Sequence, residues 1–223
     1  EDRFARFHAI WGLGQLGRID NRNLQSVVGL LSDDDAEIRV QAIRVLKDAK
    51  PHPAAKDKLI ALLQDESRRV RGFAASAVGN FRDAAHVTPL LAVLSADETA
   101  DPYLRHQVVT ALVDIGGDHL WSKWAIGKEQ SVSARLGLAL ALRRLQDQRV
   151  ALFLSDESLA VVLAAARAIH DEPINDAMGQ LAQLAGSNVL LPDDEQTDAL
   201  ARRVANACFR TGKGELLVQM GTR

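Results

Sequence analysis

The chain has 223 residues, 47% hydrophobic and 25% charged, which is the composition of a folded globular protein long enough to bury a core. Its net charge of −2 leaves no global basic field to attract nucleic acid or an anionic membrane. One cysteine, Cys208, excludes an internal disulfide and a cysteine-rich zinc site, and no run approaches the eighteen apolar residues of a membrane span.

In chain order, the opening residues EDRFARFHAI read as the inside of a helix, so the chain is expected to be a piece of a longer protein. The stretch LLQDESRRVRGFAASAVGNF (62–81) then sets a pattern that the rest repeats. It holds the end of one helix, a turn with Asp65, and a second helix whose Val70, Phe73, Ala74, Ala77, Val78 and Phe81 recur at spacings of three and four. With Arg71 as marker, equivalents stand at Arg6, Arg39, Arg105 and Arg135, Val162 replaces one, and Arg202 closes the series. The gaps are 33, 32, 34, 30, 27 and 40 residues. Three places on stand Ala9, Ala42, Ala74, Val108, Leu138, Ala165 and Ala205, many of them small enough for helices to approach closely. Seven places on stand Leu13, Leu46, Val78, Leu112, Leu142, Ile169 and Phe209.

Shorter first helices are expected between the markers, at 24–31, 55–63, 87–94, 120–126, 150–154 and 174–184. Turn and cap chemistry separates them: Asp33 to Asp35, Pro51 and Pro53, Asp101-Pro102, Gly116-Gly117 and Glu172-Pro173. Six places before four markers lies an acid (Asp33, Asp65, Glu129, Asp156), placed to cap a helix start or to meet the marker arginine of its own or a neighbouring repeat. The segment 185–195 reads as a surface loop, and ELLVQMGTR as the opening of a further helix. A fixed period of this length, with helical signal in both halves, predicts an all-α fold: an α-α superhelix of about seven helical hairpins in a single domain over 1–223.

VRGFAASAVG (70–79), IRVQAIRVL (38–46) and FHAIWGLGQLG (7–17) resemble HEAT repeats of the short kind shared with phycobilin lyases. A second likeness covers 102–212. There PYLRHQVVTALVDIG, ARLGLALALRRL, AARAIHDEPI and ARRVANACFRTG resemble the HEAT segment of planctomycete and verrucomicrobial membrane-bound dehydrogenases. Those proteins place such a segment between a β-propeller and a c-type cytochrome domain. The resemblance therefore implies a spacer or docking arm in an exported, periplasmic or cell-envelope protein. Neither propeller strands nor a C-x-x-C-H haem motif occurs here, so redox chemistry would belong to other domains.

Gly12, Gly14 and Gly17 spell G-L-G-Q-L-G, but a helical pattern precedes and includes them where a dinucleotide fingerprint needs a strand, and close helix packing accounts for them better. Asp33-Asp34-Asp35 lacks the glycine and glutamate of a calcium loop, because Ile38 and Arg44 hold those places. The six histidines show no paired metal-ligand spacing, and no nucleophile elbow occurs; neither cofactor nor metal is expected. Trp121 and Trp124, three apart on one helix face, are either core or an anchor for a partner. His170 reads as a helix C-cap beside Asp171. The pairs Arg68-Arg69, Arg143-Arg144 and Arg202-Arg203 have acids nearby and no alternating aromatics, which argues for solvated faces rather than a nucleic-acid groove.

The expected function is a non-enzymatic scaffold that binds a protein partner, or flanking domains of its own chain, along its second helices. Arg44, Arg69, Gln107, Arg143 and Arg167 are the candidate contacts there, with Trp121, Trp124 and His170 beside them. The alternative is an enzyme or enzyme subunit acting on DNA or a bilin-type chromophore, which requires a positive, aromatic-lined groove.

Overall fold

A computed structural model describes residues 2–97, 101–124, 131–187 and 195–221. Among these residues every regular element is helical. They gather into two compact units, Glu1–Ala134 and Arg135–Arg223.

The first unit is built on α1 (Arg3–Ile19), α3 (Ala36–Asp48), α5 (Arg68–Gly79) and α7 (Pro102–Ile115), the second helices of successive hairpins. Each starts at a polar cap: the side chain of Asp2, Asp35, Ser67 or Asp101 accepts a hydrogen bond from a backbone N–H two or three residues on. Pro102 fills the first turn of α7, where a missing N–H costs nothing. The intervening first helices are α2 (Gln25–Gly29), α4 (Lys56–Ala61), α6 (Val87–Ser95) and α8 (Gly117–Trp124). Three of them are extended by 3-10 turns: Asn21–Leu24 and Leu30–Ser32 flank α2, Pro53–Ala55 and Leu62–Gln64 flank α4, and Ala84–His86 leads into α6. Segments this short satisfy their end groups by tightening to i→i+3 bonds.

The second unit holds most of α9 (Val132–Arg144), a 3-10 stretch Gln148–Ser155, α10 (Leu159–Asp171), α11 (Asn175–Gln183), α12 (Glu195–Arg210) and α13 (Glu215–Gly221). Of the expected loop at 185–195, residues 184–186 close a 3-10 turn and Glu195 opens α12; 188–194 lie outside the described residues. Hairpins stacked on their neighbours in this way are the construction of an α-solenoid, and each unit has it.

The marker is the fourth residue of α1, α3, α5, α7, α9 and α10. In the last five of these helices the residue before the marker and those three, four and seven after it are all buried. In α12 that pattern falls on Leu200, Val204 and Cys208 and thus centres on Ala201. Arg202 is therefore not the repeat marker of the last hairpin. It is exposed, 3.8 Å from Asp198, and Phe209, expected in the core seven places later, is 80% exposed. An extra N-terminal turn on α12 displaced the register read from the sequence.

The acids before the second helices join neighbouring repeats. Asp33, Asp65 and Asp156 each accept the backbone N–H two residues on, at 2.8–3.0 Å. The same carboxylates receive the marker arginine of the preceding second helix: Arg6 meets Asp33, Arg39 Nη2 meets Asp65 Oδ1 at 2.9 Å, and Arg135 grips Asp156 with two bonds at 2.7 and 3.0 Å. Meanwhile Arg39 and Arg71 donate to carbonyls of their own turn, Asp33 and Asp34 for one, Asp65 and Glu66 for the other. One planar guanidinium thus ties its own turn and reaches the next, which a point-charged lysine could not match. Glu129 lies outside the described residues.

Candidate interaction surface

Buried apolar positions take one side of each second helix, and a second stripe runs two before, two after and five after the marker, with Gln41 and Ser76 in it buried and most of the rest open to solvent. In the first unit that stripe reads Phe4, His8, Trp11 on α1; Glu37, Gln41, Arg44 on α3; Arg69, Phe73, Ser76 on α5; and Tyr103, Gln107, Thr110 on α7.

Side chains of this stripe touch one another across all four helices. The Trp11 indole N–H donates to Gln41 Oε1 at 3.0 Å, and Gln41 Nε2 donates to Glu37 Oε1 at 2.6 Å. Arg69 Nε reaches Glu37 Oε2 at 3.1 Å and lays its guanidinium over the Phe73 ring, 5.3 Å from the centroid. Phe73 in turn meets Tyr103 with ring centres 6.4 Å apart. At the α1 end the chain continues through Phe7, stacked on Trp11 at 6.5 Å. Trp11 remains 43% and Tyr103 46% exposed, so both ends offer aromatic surface to solvent.

The backbone beneath is held close. A Cβ on Gly79 would come within 2.6 Å of the Ala111 Cα, which brings α5 against α7. Gly14 and Gly17 lie similarly close to Val45 and Leu24, whereas Gly12 faces open space. Gly72 leaves a shallow place against Tyr103 and Gln107, the nearest atoms standing 3.4 and 3.7 Å from where its Cβ would be.

Of the residues singled out from sequence, Arg44 and Arg69 enter this network: Arg44 Nη1 approaches Gln41 Oε1 at 3.4 Å and is linked to Arg69 by way of Gln41 and Glu37. Gln107 is half-buried on α7 beside Gly72. Trp121 is half-buried on α8; the side chain of Trp124 lies outside the described residues. In the second unit, Arg143 is paired with Glu172 at 2.8 Å and Arg167 is exposed. His170 does not cap carbonyls: its ring nitrogens meet Asp171 Oδ1 at 2.9 Å and Asn206 Oδ1 at 3.1 Å, joining α10 to α12. Arg203 clamps both Asp171 oxygens, and with His170 beside it holds that carboxyl down to about 2. On α9 and α10 the aligned stripe is mostly small or aliphatic, Ser133, Gly137 and Leu140 on the one, Ala160 and Ala164 on the other. Sequence reading missed Trp11, Glu37, Phe73 and Tyr103 as surface residues, and the buried Gln41 that links them. Lining up the repeats and reading the fixed offsets around the marker would have found them.

Among the described residues no cluster of three potential metal ligands occurs, and no helix is long and apolar enough to cross a membrane. No curated protein matches the chain significantly. Among solved structures it is similar to the crystal structure of an engineered protein from the Northeast Structural Genomics Consortium, with 18% identity over 99% of this chain and 69% of that one and a TM-score of 0.45. Residues 27–113 match the family of HEAT repeats, a stretch that contains α3, α5 and most of α7 and with them the greater part of this surface.

Proposed function

We propose that the chain is a non-catalytic helical-repeat module that binds a protein partner along the second helices of its first unit. One observation carries the reading: the unbroken run of contacts from Trp11 through Gln41, Glu37, Arg69 and Phe73 to Tyr103, across the second helices of four successive hairpins. Tryptophan, tyrosine and arginine are the side chains that dominate binding energy at protein interfaces. Here they are preorganised by their own hydrogen bonds, which lowers the entropy lost on binding. The HEAT-repeat match over 27–113 supports the scaffold class. The finer role, a spacer or docking arm of an exported dehydrogenase-like protein with both units in one repeat domain, is proposed from the resemblance of residues 102–212 alone.

Photo-crosslinking in the source cell tests the module reading. A benzophenone amino acid placed at Tyr103 is expected to capture one discrete protein, and the same group at Lys58, on the first helix α4, is expected not to. Capture from neither position, or equally from both, overturns the reading.

A further inference from the structure

A small cavity of about 110 Å³ opens between α1 and α3 beside the exposed end of that contact chain. Trp11 forms a wall, Gly14 and Val45 the floor, and Arg18, Arg44 and Asp48 the mouth. Each part has a reason to be where it is. The indole is fixed by its hydrogen bond to the buried Gln41. The missing side chain at residue 14 lets α1 lie directly on Val45, since a Cβ there would stand 3.0 Å from Val45 Cγ1.

Charge decides what can enter. Arg3, Arg6, Arg22, Arg39, Arg68 and Arg69 in this unit all have carboxylate partners. Arg18 and Arg44, like Arg71, Arg82 and Arg105, form no ion pair among the described residues, and Arg18 and Arg44 stand together at this mouth. Two such cations against the single Asp48 leave a local excess of positive charge in a chain whose net charge is −2. The volume is well below the roughly 300–1,000 Å³ of sites for drug-sized ligands and cofactors, so it suits one side chain rather than a chromophore or nucleotide.

We infer that this cavity is the anchor site for a peptide segment of the partner in which a bulky aliphatic or aromatic side chain stands next to a carboxylate. The apolar side chain packs between Trp11 and Val45, and the carboxylate takes charge-assisted hydrogen bonds from Arg18 and Arg44. This assignment rests on the protein-binding reading above and narrows it to a partner chemistry.

The test is selection of a random dodecapeptide display library on the full chain, followed by titration of synthetic copies of the enriched peptides. Enriched peptides should pair an acid with a Leu, Ile, Phe or Trp. Their affinity should fall about tenfold or more, about 1.4 kcal/mol, in Arg18→Ala/Arg44→Ala, a surface change that leaves the melting curve in place. Swapping the peptide's acid for lysine should abolish binding to the unchanged protein. Enriched peptides of another composition, or ones that depend on Phe73 and Tyr103 but not on the two arginines, overturn the anchor assignment and leave the module reading standing. Failure to enrich any peptide overturns both. Binding of a fluorescent dodecathymidylate that depends on Arg18 and Arg44, with no acidic peptide bound, overturns both in favour of a nucleic-acid surface.

Discussion

At Arg39 the stacking of repeats comes down to a single side chain. Its guanidinium joins two carbonyls of its own turn to the Asp65 carboxylate of the next, and the two side chains are only 9% and 7% exposed. The neighbouring carboxylate holds the guanidinium pKa above its ordinary value against the pull of burial. Replacing Arg39 by alanine strands a buried carboxylate, and the expected loss is about 3–5 kcal/mol in urea unfolding. In Arg39→Met/Asp65→Asn, the asparagine oxygen still accepts the Ser67 N–H while the charge is gone, so more than half of that loss should return. Arg22 meets Asp20 with similar bonds but is 91% exposed, and Arg22→Ala should leave the unfolding midpoint where it is. An Arg22 effect equal to that of Arg39 would remove burial as the cause.

Helix against helix, the decisive residues are the ones without side chains. Gly79 sits where a Cβ would press on Ala111 backbone, which cannot move aside as a flexible side chain would. Gly79→Ala is expected to cost about 1–3 kcal/mol by forcing α5 away from α7. Gly12, exposed in the middle of α1 with nothing near it, should respond in the opposite direction: Gly12→Ala stabilises by up to about 1 kcal/mol, because alanine loses less backbone freedom in a helix. Thermal melts of the two variants would show opposite shifts, and two shifts of one sign would contradict the packing account. Much at this scale was legible beforehand. Second helices recur in the sequence because each must bury the same stripe, and the acid six places before the marker recurs because it meets the marker arginine of the preceding repeat, while the cap itself stands four places before. What could not be read is what depends on a neighbour about thirty residues away. The α12 register slipped because its extra turn lies after a stretch with no periodic signal, so Arg202 looked equivalent to Arg135 although Ala201 takes its place. Arg44 and Arg69 could be picked out as exposed second-helix residues. That they share Gln41 and Glu37 with Trp11 follows only from how α1, α3 and α5 pack.

Across the molecule as a whole, stability is a sum over repeats that touch mainly their neighbours, so acid should weaken it at separate places and over separate pH ranges. Asp83 in the first unit is held down to about 2 by Lys56 and then by the Ala85 N–H, and Asp171 in the second to about 2 by Arg203 and His170. Both lie below an ordinary aspartate near 4. The folded chain therefore binds fewer protons than the unfolded chain in that interval. Their contribution is complete above about pH 4 and disappears as pH falls toward 2. His86 works in the same direction at higher pH. It is 2% exposed, packed edge-on against Phe81, and burial pushes its imidazole below the usual value near 6.5 in spite of the Asp83 carboxylate 4.0 Å away. Unfolding lets it take up a proton, so stability should already decline below about pH 6.5. Melting temperatures followed by circular dichroism from pH 8 to pH 2 should show a level stretch, a shallow decline beginning near pH 6.5, and a steep fall below pH 4. His86→Leu should remove the shallow decline alone, and Asp83→Asn/Asp171→Asn should flatten the steep one. A melting temperature that rises between pH 7 and pH 5, or a shallow decline that survives His86→Leu, would mean that the imidazole is charged in the folded chain and that Asp83 outweighs the burial around it.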